Sequence, residues 1–129
     1  MNSIQIGNLT ELKLITRLVE LGKEILFPYG SERYDFIFRD DKKYKRVQCK
    51  TGRIKKNAIE FKVAQWNRKG ESTSYLGWAE YFGVYCPDNK KCYLIPIEDI
   101  DSQRMCSLRL KLSYYRNQRK FRMAKDYEL

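Results

Sequence analysis

The sequence contains no histidine. That absence removes Ser-His-Asp and Cys-His catalysis, HEXXH zinc sites and all imidazole acid–base chemistry. Any catalysis must then rest on carboxylates, amides, lysines or tyrosines. Cysteine is scarce: Cys49, Cys86, Cys92 and Cys106 are the four, and none lies in a CxxC pair. With no histidine to complete a zinc site, a structural metal is not expected. The chain shows no signal peptide and no long apolar run. The expectation is a cytoplasmic protein with free thiols and no membrane contact. Cys86 and Cys92 could face each other across a hairpin, but two reduced cysteines at strand ends are the reading that suits that compartment. Negative charge is also in short supply, with 16 Asp+Glu against 26 Lys+Arg and a formal net charge of +10. Such an excess fits a polyanionic partner, nucleic acid first. An anionic membrane fits less well, because no basic amphipathic helix stands out.

The length, 129 residues, suits one domain spanning 1–129 with one core and a basic C-terminal tail for DNA binding. "GNLTELKLITRLVELG" predicts a helix, with Asn8 as its N-cap, Gly22 as its stop and Leu12, Ile15, Leu18, Val19 and Leu21 as its apolar stripe. "EILFPYG" predicts a short strand closed by Pro28 and Gly30. "RYDFIFR" and "YKRVQCKTG" flank "DDKK" as a hairpin, and "AIEFKVA" is a further strand. Residues 64–78 have no clear period and predict a loop or short irregular helix of the kind that often carries function. "AEYFGVYC" and "CYLIPIED" flank "PDNKK" as a second hairpin. "SLRLKL" predicts a strand turning Leu108, Leu110 and Leu112 inward, and the basic, aromatic tail ends in a short helix. One helix followed mostly by strands gives an α+β class with a central mixed sheet.

The stretch "RVQCKTGRIKK", from Arg46 to Lys56, is the most informative. Side chains alternate across a strand, so Gln48 and Lys50 share one face while Val47 and Cys49 share the other. On the preceding strand Tyr34, Phe36 and Phe38 take one face, and Asp35 and Ile37 the other. A symmetric closure of "DDKK" sets Asp40 opposite Lys43, Arg39 opposite Tyr44, Phe36 opposite Val47 and Asp35 opposite Gln48. Directly opposed residues have Cβ atoms roughly 4.5–5.5 Å apart. Asp35, Gln48 and Lys50 then form one polar cluster: two oxygen donors for a hard cation, with an ammonium beside them. Such a cation polarises a phosphodiester and acidifies a water, while the lysine orients that water or stabilises developing charge. Gln48 brings an oxygen but no charge, so the metal is held more weakly than by a second carboxylate. The competing account is an exposed strand with a lone surface acid.

Glu11 lies on the inward side of the helix, four residues before Ile15 and seven before Leu18. A carboxylate there needs a partner. Two accounts stay open: a capping box Asn8-x-x-Glu11, or a side chain that reaches the same metal or its water.

A helix with an early Glu, a strand bearing Asp and a hairpin partner with (D/E/Q)-x-K together resemble the PD-(D/E)XK nuclease core. The pieces are Glu11, "RYD" ending at Asp35, and "QCK" from Gln48 to Lys50. "RVQCKTGR", "EYFGVYCPDNKKCYLIPIED", "SLRLKL" and the closing "YEL" resemble more closely the small homing endonucleases encoded in bacterial group I introns. Tyr34 stands where that motif often has Pro, and Gln48 where the general motif has an acid. The resemblance implies a restriction-endonuclease-like α+β (α/β-like) core, a central mixed sheet flanked by helices. It implies Mg²⁺- or Mn²⁺-dependent double-strand DNA cleavage at a long site by a homo-oligomer, dimer or tetramer. It further implies Glu11, Asp35, Gln48 and Lys50 as the catalytic group and Glu11, Asp35, Gln48 and Cys49 as the metal-holding group.

Arg53, Lys55 and Lys56 follow the site strand and suit a phosphate track. Gln65, Asn67, Arg68 and Lys69 lie in the long loop, and Arg116, Asn117, Gln118, Arg119, Lys120 and Arg122 in the tail. Asn, Gln and Arg are the types that read base edges. The alternative function is a non-catalytic RNA- or DNA-binding protein on a nuclease-like sheet. A ribosomal-type structural protein fits the charge but not the polar cluster.

Overall fold

The computed structural model describes residues 1–102, 104–111 and 122–129. Among these, helix α1 spans Ser3–Glu20, and strands follow as β1 Glu24–Leu26, β2 Phe36–Asp40, β3 Lys43–Thr51, β4 Arg53–Lys55, β5 Ala58–Lys62, β6 Gln65–Trp66 and β7 Ser72–Thr73. Next come β8 Tyr81–Cys86, β9 Lys91–Pro96, β10 Met105–Arg109 and β11 Arg122–Met123, with 3₁₀ turns at Ile97–Asp99 and Ala124–Asp126.

The helix cap lies six residues before the predicted one. Asn2 is the N-cap: its side chain accepts from Gln5 N–H while the Gln5 side chain accepts from Asn2 N–H, a reciprocal capping box. Asn8 lies inside the helix, so the Asn8-x-x-Glu11 box does not form and Glu11 is released from any capping role. The predicted end holds. Gly22, at φ +82°, supplies the left-handed residue after the C-cap. The predicted stripe is only partly right. Thr10, Leu14 and Leu18 are the buried helix residues, while Leu12, Val19 and Leu21 are exposed.

A central five-stranded sheet runs in the order β1-β2-β3-β8-β9, with β3 and β8 parallel and the other neighbours antiparallel. The β2–β3 register is the predicted one from Asp40↔Lys43 to Phe36↔Val47. Helix α1 covers one face, where Leu14 and Leu18 pack with Phe36, Phe38, Val47, Tyr85 and Cys92. The opposite face packs a second sheet in place of a helix, ordered β11-β10-β5-β4, around Ile59, Phe61, Phe82, Val84, Tyr93, Ile95 and Leu108. Parallel β3 and β8 need a long crossover, and β4 to β7 supply it.

Gly52 makes that crossover possible. A Cβ there would lie 2.7 Å from Ile59 Cγ2 and 3.0 Å from Val84 Cγ1, so only glycine lets the chain leave one sheet for the other between these side chains. Arg53 and Lys55 after it lie on β4, with Ile54 between them packed against the core. Lys56 and Asn57, at φ 49° and 63°, make the tight turn to β5. Residues 64–78 hold the β6–β7 hairpin and no helix.

Tyr34 packs against the core on the second-sheet side, so it does not share a face with Phe36 and Phe38. Cys86 pairs with Lys91 and Cys92 with Tyr85, so the two thiols belong to opposite faces, and all four cysteines are free. Strand β10 buries Cys106 and Leu108; Leu110 lies beyond it and is exposed, and Leu112 falls outside the described residues. The tail's short helix is the single 3₁₀ turn Ala124–Asp126. No described helix is long and apolar enough to cross a membrane.

Candidate active site

The site is built where β3 changes partner. Up to Val47 it pairs with β2; from Val47 to Thr51 it pairs with β8, against Tyr81 to Tyr85. Backbone groups alternate along a strand. Arg46 C=O accepts from Glu80 N–H and Gly52 N–H donates to Tyr85 C=O, both toward β8, whereas Val47 C=O accepts from Asp35 N–H at 2.8 Å, toward β2. Cys49, two residues on from Val47, therefore turns its N–H and C=O to the side that β2 has vacated. Asp35, just ahead of β2, fills part of that gap: its Oδ2 accepts from Cys49 N–H at 2.8 Å. This charge-assisted bond fixes the carboxylate at the open edge of β3.

Glu11 comes to the same place from α1. It is partly buried, and its pKa is raised, first by burial and then by the Asp35 charge. The Cys49 thiol completes the group. Burial, the Asp35 and Glu11 charges and a hydrogen bond to Asp35 hold it firmly protonated. None of the ion pairs among the described residues involves Glu11 or Asp35. Two carboxylates are thus drawn together without an ion-pair partner among the described lysines and arginines. Like charges so placed call for a cation between them. Two carboxylates with an available backbone oxygen are the donors a hard divalent ion takes, and Mg²⁺ commonly binds through one or two carboxylates while keeping waters. The described residues hold no group of three or more His, Cys, Asp or Glu suited to a metal. Two carboxylates are too few for a closed structural cage, and an ion they held would keep several waters.

Gln48 and Lys50 project from the other face of β3. Their ladder partners Phe82 and Val84 belong to the core between the sheets, whereas Val47 packs under α1. The Lys50 ammonium lies 4.6 Å from the Tyr75 ring centroid and 6.0 Å from that of Phe82, and donates to the Tyr75 hydroxyl at 3.3 Å. No ion pair joins it to Asp35 or Glu11, and no described residue hydrogen-bonds the Gln48 amide. The sequence placed Asp35, Gln48 and Lys50 on one face. The structure instead brings Glu11, Asp35 and Cys49 together at the edge and sets Gln48 and Lys50 across the sheet. The reason is that Asp35 precedes the strand and turns toward the Cys49 amide. Tyr75, buried and in contact with Lys50, was missed; it lies in the aperiodic 64–78 stretch, where no pattern marks it.

The proposed DNA contacts are placed unequally. Arg53 and Lys55 are exposed on β4, Lys56 lies at the turn, and Gln65, Arg68 and Lys69 are exposed on or beside the β6–β7 hairpin. Asn67 is engaged in building that hairpin: its Oδ1 accepts from the N–H groups of Lys69 and Glu71, and its Nδ2 donates to the Glu71 carboxylate. Arg122 is partly buried and donates to the Asp99 carbonyl and the Asp101 carboxylate, so its charge is committed inside the fold. Arg116, Asn117, Gln118, Arg119 and Lys120 lie outside the described residues.

A core with α1 and a mixed sheet, carrying paired carboxylates at the edge of a hairpin, defines a nuclease-type architecture, and the comparisons agree. The PD-(D/E)XK endonuclease family matches residues 1–129, and the chain belongs to that family. Among solved structures it is similar to a bacterial homing endonuclease, I-Ssp6803I, at 20% identity and a TM-score of 0.74, over 98% of this chain and 89% of that one. At that identity the likeness establishes a shared fold. No curated protein matches the chain by sequence.

Proposed function

We propose that this endonuclease is a Mg²⁺- or Mn²⁺-dependent enzyme that hydrolyses phosphodiesters of double-stranded DNA at a specific site. In this reading it is a cytoplasmic homing endonuclease of the kind encoded in group I introns. The observation that carries the reading is the Glu11–Asp35 pair, a partly buried carboxylate held beside a fixed one with no ion-pair partner for either among the described residues. A divalent ion held there by the Glu11 and Asp35 carboxylates and the Cys49 carbonyl would polarise a phosphate oxygen and acidify a water. Asp35, pinned by the Cys49 amide, gives up no orientational freedom on binding. Glu11 adds the second negative charge. Gln48, on the Lys50 face, carries no charge and leaves room for that of a phosphate. Lys50, kept in place by the Tyr75 hydroxyl, offers its ammonium to charge that builds up on the phosphate.

Residues 1–129 act as one nuclease domain, and the basic C-terminal tail joins the DNA contacts of Arg53, Lys55 and Lys56. A short chain that reads a long site repeats itself, so a two-fold dimer or a larger tetramer is expected. Incubation with supercoiled plasmid tests the activity: Mg²⁺ supports conversion to linear DNA and EDTA abolishes it. Tight DNA binding with no cleavage under any divalent ion would instead make the chain a non-catalytic nucleic-acid binder.

A further inference from the structure

The second sheet has one face in the core, and the other carries the exposed side chains of Arg53, Lys55, Lys62, Met105 and Ser107. Ile54 and Ile59 are cross-strand partners that face inward, as do Phe61, Cys106 and Leu108. By alternation the outward set is Arg53 and Lys55 on β4, Glu60 and Lys62 on β5, and Met105, Ser107 and Arg109 on β10. Cations thus predominate over the one acid, Glu60. Arg53 stands directly opposite Glu60 in the ladder, yet no ion pair forms between them. Arg53, Lys55 and Lys62 have no ion-pair partner among the described residues.

This face runs into a groove of about 340 Å³ lined by Lys50, Arg53, Lys55, Glu60, Lys62 and Met105. The groove therefore connects the lysine of the proposed site to three uncompensated cations on the neighbouring sheet. Like charges gathered along a groove repel one another unless an anion lies among them. A linear track of point-like ammonium and guanidinium groups suits a rod of negative charge, and duplex DNA carries one charge per about 1.7 Å of axis. An apolar anchor for a membrane is missing from the outward set apart from Met105.

We propose that this groove is a track for the sugar-phosphate backbone of duplex DNA, leading away from Lys50, and that Lys62 is a phosphate contact within it. The placement of the scissile phosphate at Lys50 rests on the nuclease reading; the track itself does not. Lys62 escaped the sequence reading because it lies inside the strand "AIEFKVA", where only the register reveals that it faces the same side as Arg53.

The test is binding in EDTA of a fluorescent random-sequence duplex DNA over a series of KCl concentrations. One lost phosphate contact lowers the salt slope by about 0.9, equivalent to roughly eightfold weaker binding at about 0.1 M salt. Lys62→Ala is expected to produce that change, and Lys62→Arg to restore it. Lys42→Ala removes the same charge from the β2–β3 turn, about 26 Å of strand away from Lys50, and is expected to leave the slope nearly unchanged. Equal losses for Lys62→Ala and Lys42→Ala would reduce the effect to net charge and overturn the track. So would an unchanged slope in Lys62→Ala, or tighter binding of a double-stranded RNA of equal length. Because no cleavage is involved, an inactive wild type would remove the nuclease reading and leave this result standing.

Discussion

The two faces of the central sheet hold opposite chemistries. Under α1 the sheet edge gathers Glu11, Asp35 and the protonated Cys49 thiol, all acidic groups. Toward the second sheet it carries Lys50, set on Tyr75 and Phe82, beside Arg53, Lys55 and Lys62. Strand β3 stands between them, with Cys49 toward α1 and Lys50 toward the second sheet. The separation keeps lysine and carboxylates from cancelling in a direct ion pair, which would remove the donors a metal needs and the ammonium a phosphate needs.

Removing the acid side outright is expected to do most. Asp35→Ala should abolish plasmid cleavage while duplex binding measured in EDTA stays close to wild type. Parallel loss of binding would show that Asp35 serves folding or docking. On the cationic side, Lys50→Ala is expected to slow single-turnover cleavage by about a hundredfold or more; a near wild-type rate would leave Lys50 as a strand residue only.

Glu11→Gln separates charge from shape. With the capping box at Asn2 and Gln5, an amide at position 11 costs no cap, and it relieves the repulsion with Asp35. Cleavage is expected to fall by roughly tenfold or more, as for weakened metal sites, while the metal-free melting temperature holds or rises. Full activity would detach Glu11 from the site. Gln48→Glu blurs the contrast by placing an acid on the lysine face. Calorimetric titration should show Ca²⁺ affinity close to wild type, while metal-free DNA affinity drops. Clearly tighter Ca²⁺ binding would bring position 48 into the metal site.

The smallest effect lies outside the site. The hydrogen bond from Arg46, then the nearby positive charge, hold the Glu80 carboxyl below its ordinary value of 4.5 despite partial burial. A depressed carboxylate stabilises the fold above 4.5 and loses that contribution as pH falls through the native value. Glu80→Gln should therefore lower stability by about 1 kcal/mol at neutral pH, and urea melts at decreasing pH should converge with those of wild type. A constant gap down to acid pH would deny the pair any electrostatic role.

Much of this was legible in the sequence because some signals are local. The symmetric "DDKK" closure fixed the register of β2 and β3, and Gly22 marked the helix end. The helix start was obscured by two overlapping cap patterns: Asn2-x-x-Gln5 and Asn8-x-x-Glu11 fit the same rule, and only the former is formed. Strict alternation put Asp35 on the face of Gln48, since nothing local says that the strand begins at Phe36 and that Asp35 turns to a backbone amide one residue past its expected partner. Gly52 suggested a strand end, and it is one, but the crowding by Ile59 and Val84 that makes it a passage between sheets is a long-range fact. For the same reason neither Tyr75 nor Lys62 was singled out.

The last residues of the chain have a consequence for solubility. Strand β9 is the outer strand of the central sheet, and the closing segment lies along it: Leu94 N–H donates to Tyr127 C=O at 2.9 Å and Leu129 N–H to Cys92 C=O at 2.9 Å. An uncovered strand edge is a template on which another chain can add, the first step of edge-to-edge aggregation. The tripeptide Tyr127-Glu128-Leu129 thus acts as a sheath over that edge. A chain lacking it is expected to keep its carboxylates and its cationic groove, yet to drop out of solution through sheet-to-sheet growth, visible as thioflavin-positive turbidity that the full chain does not develop.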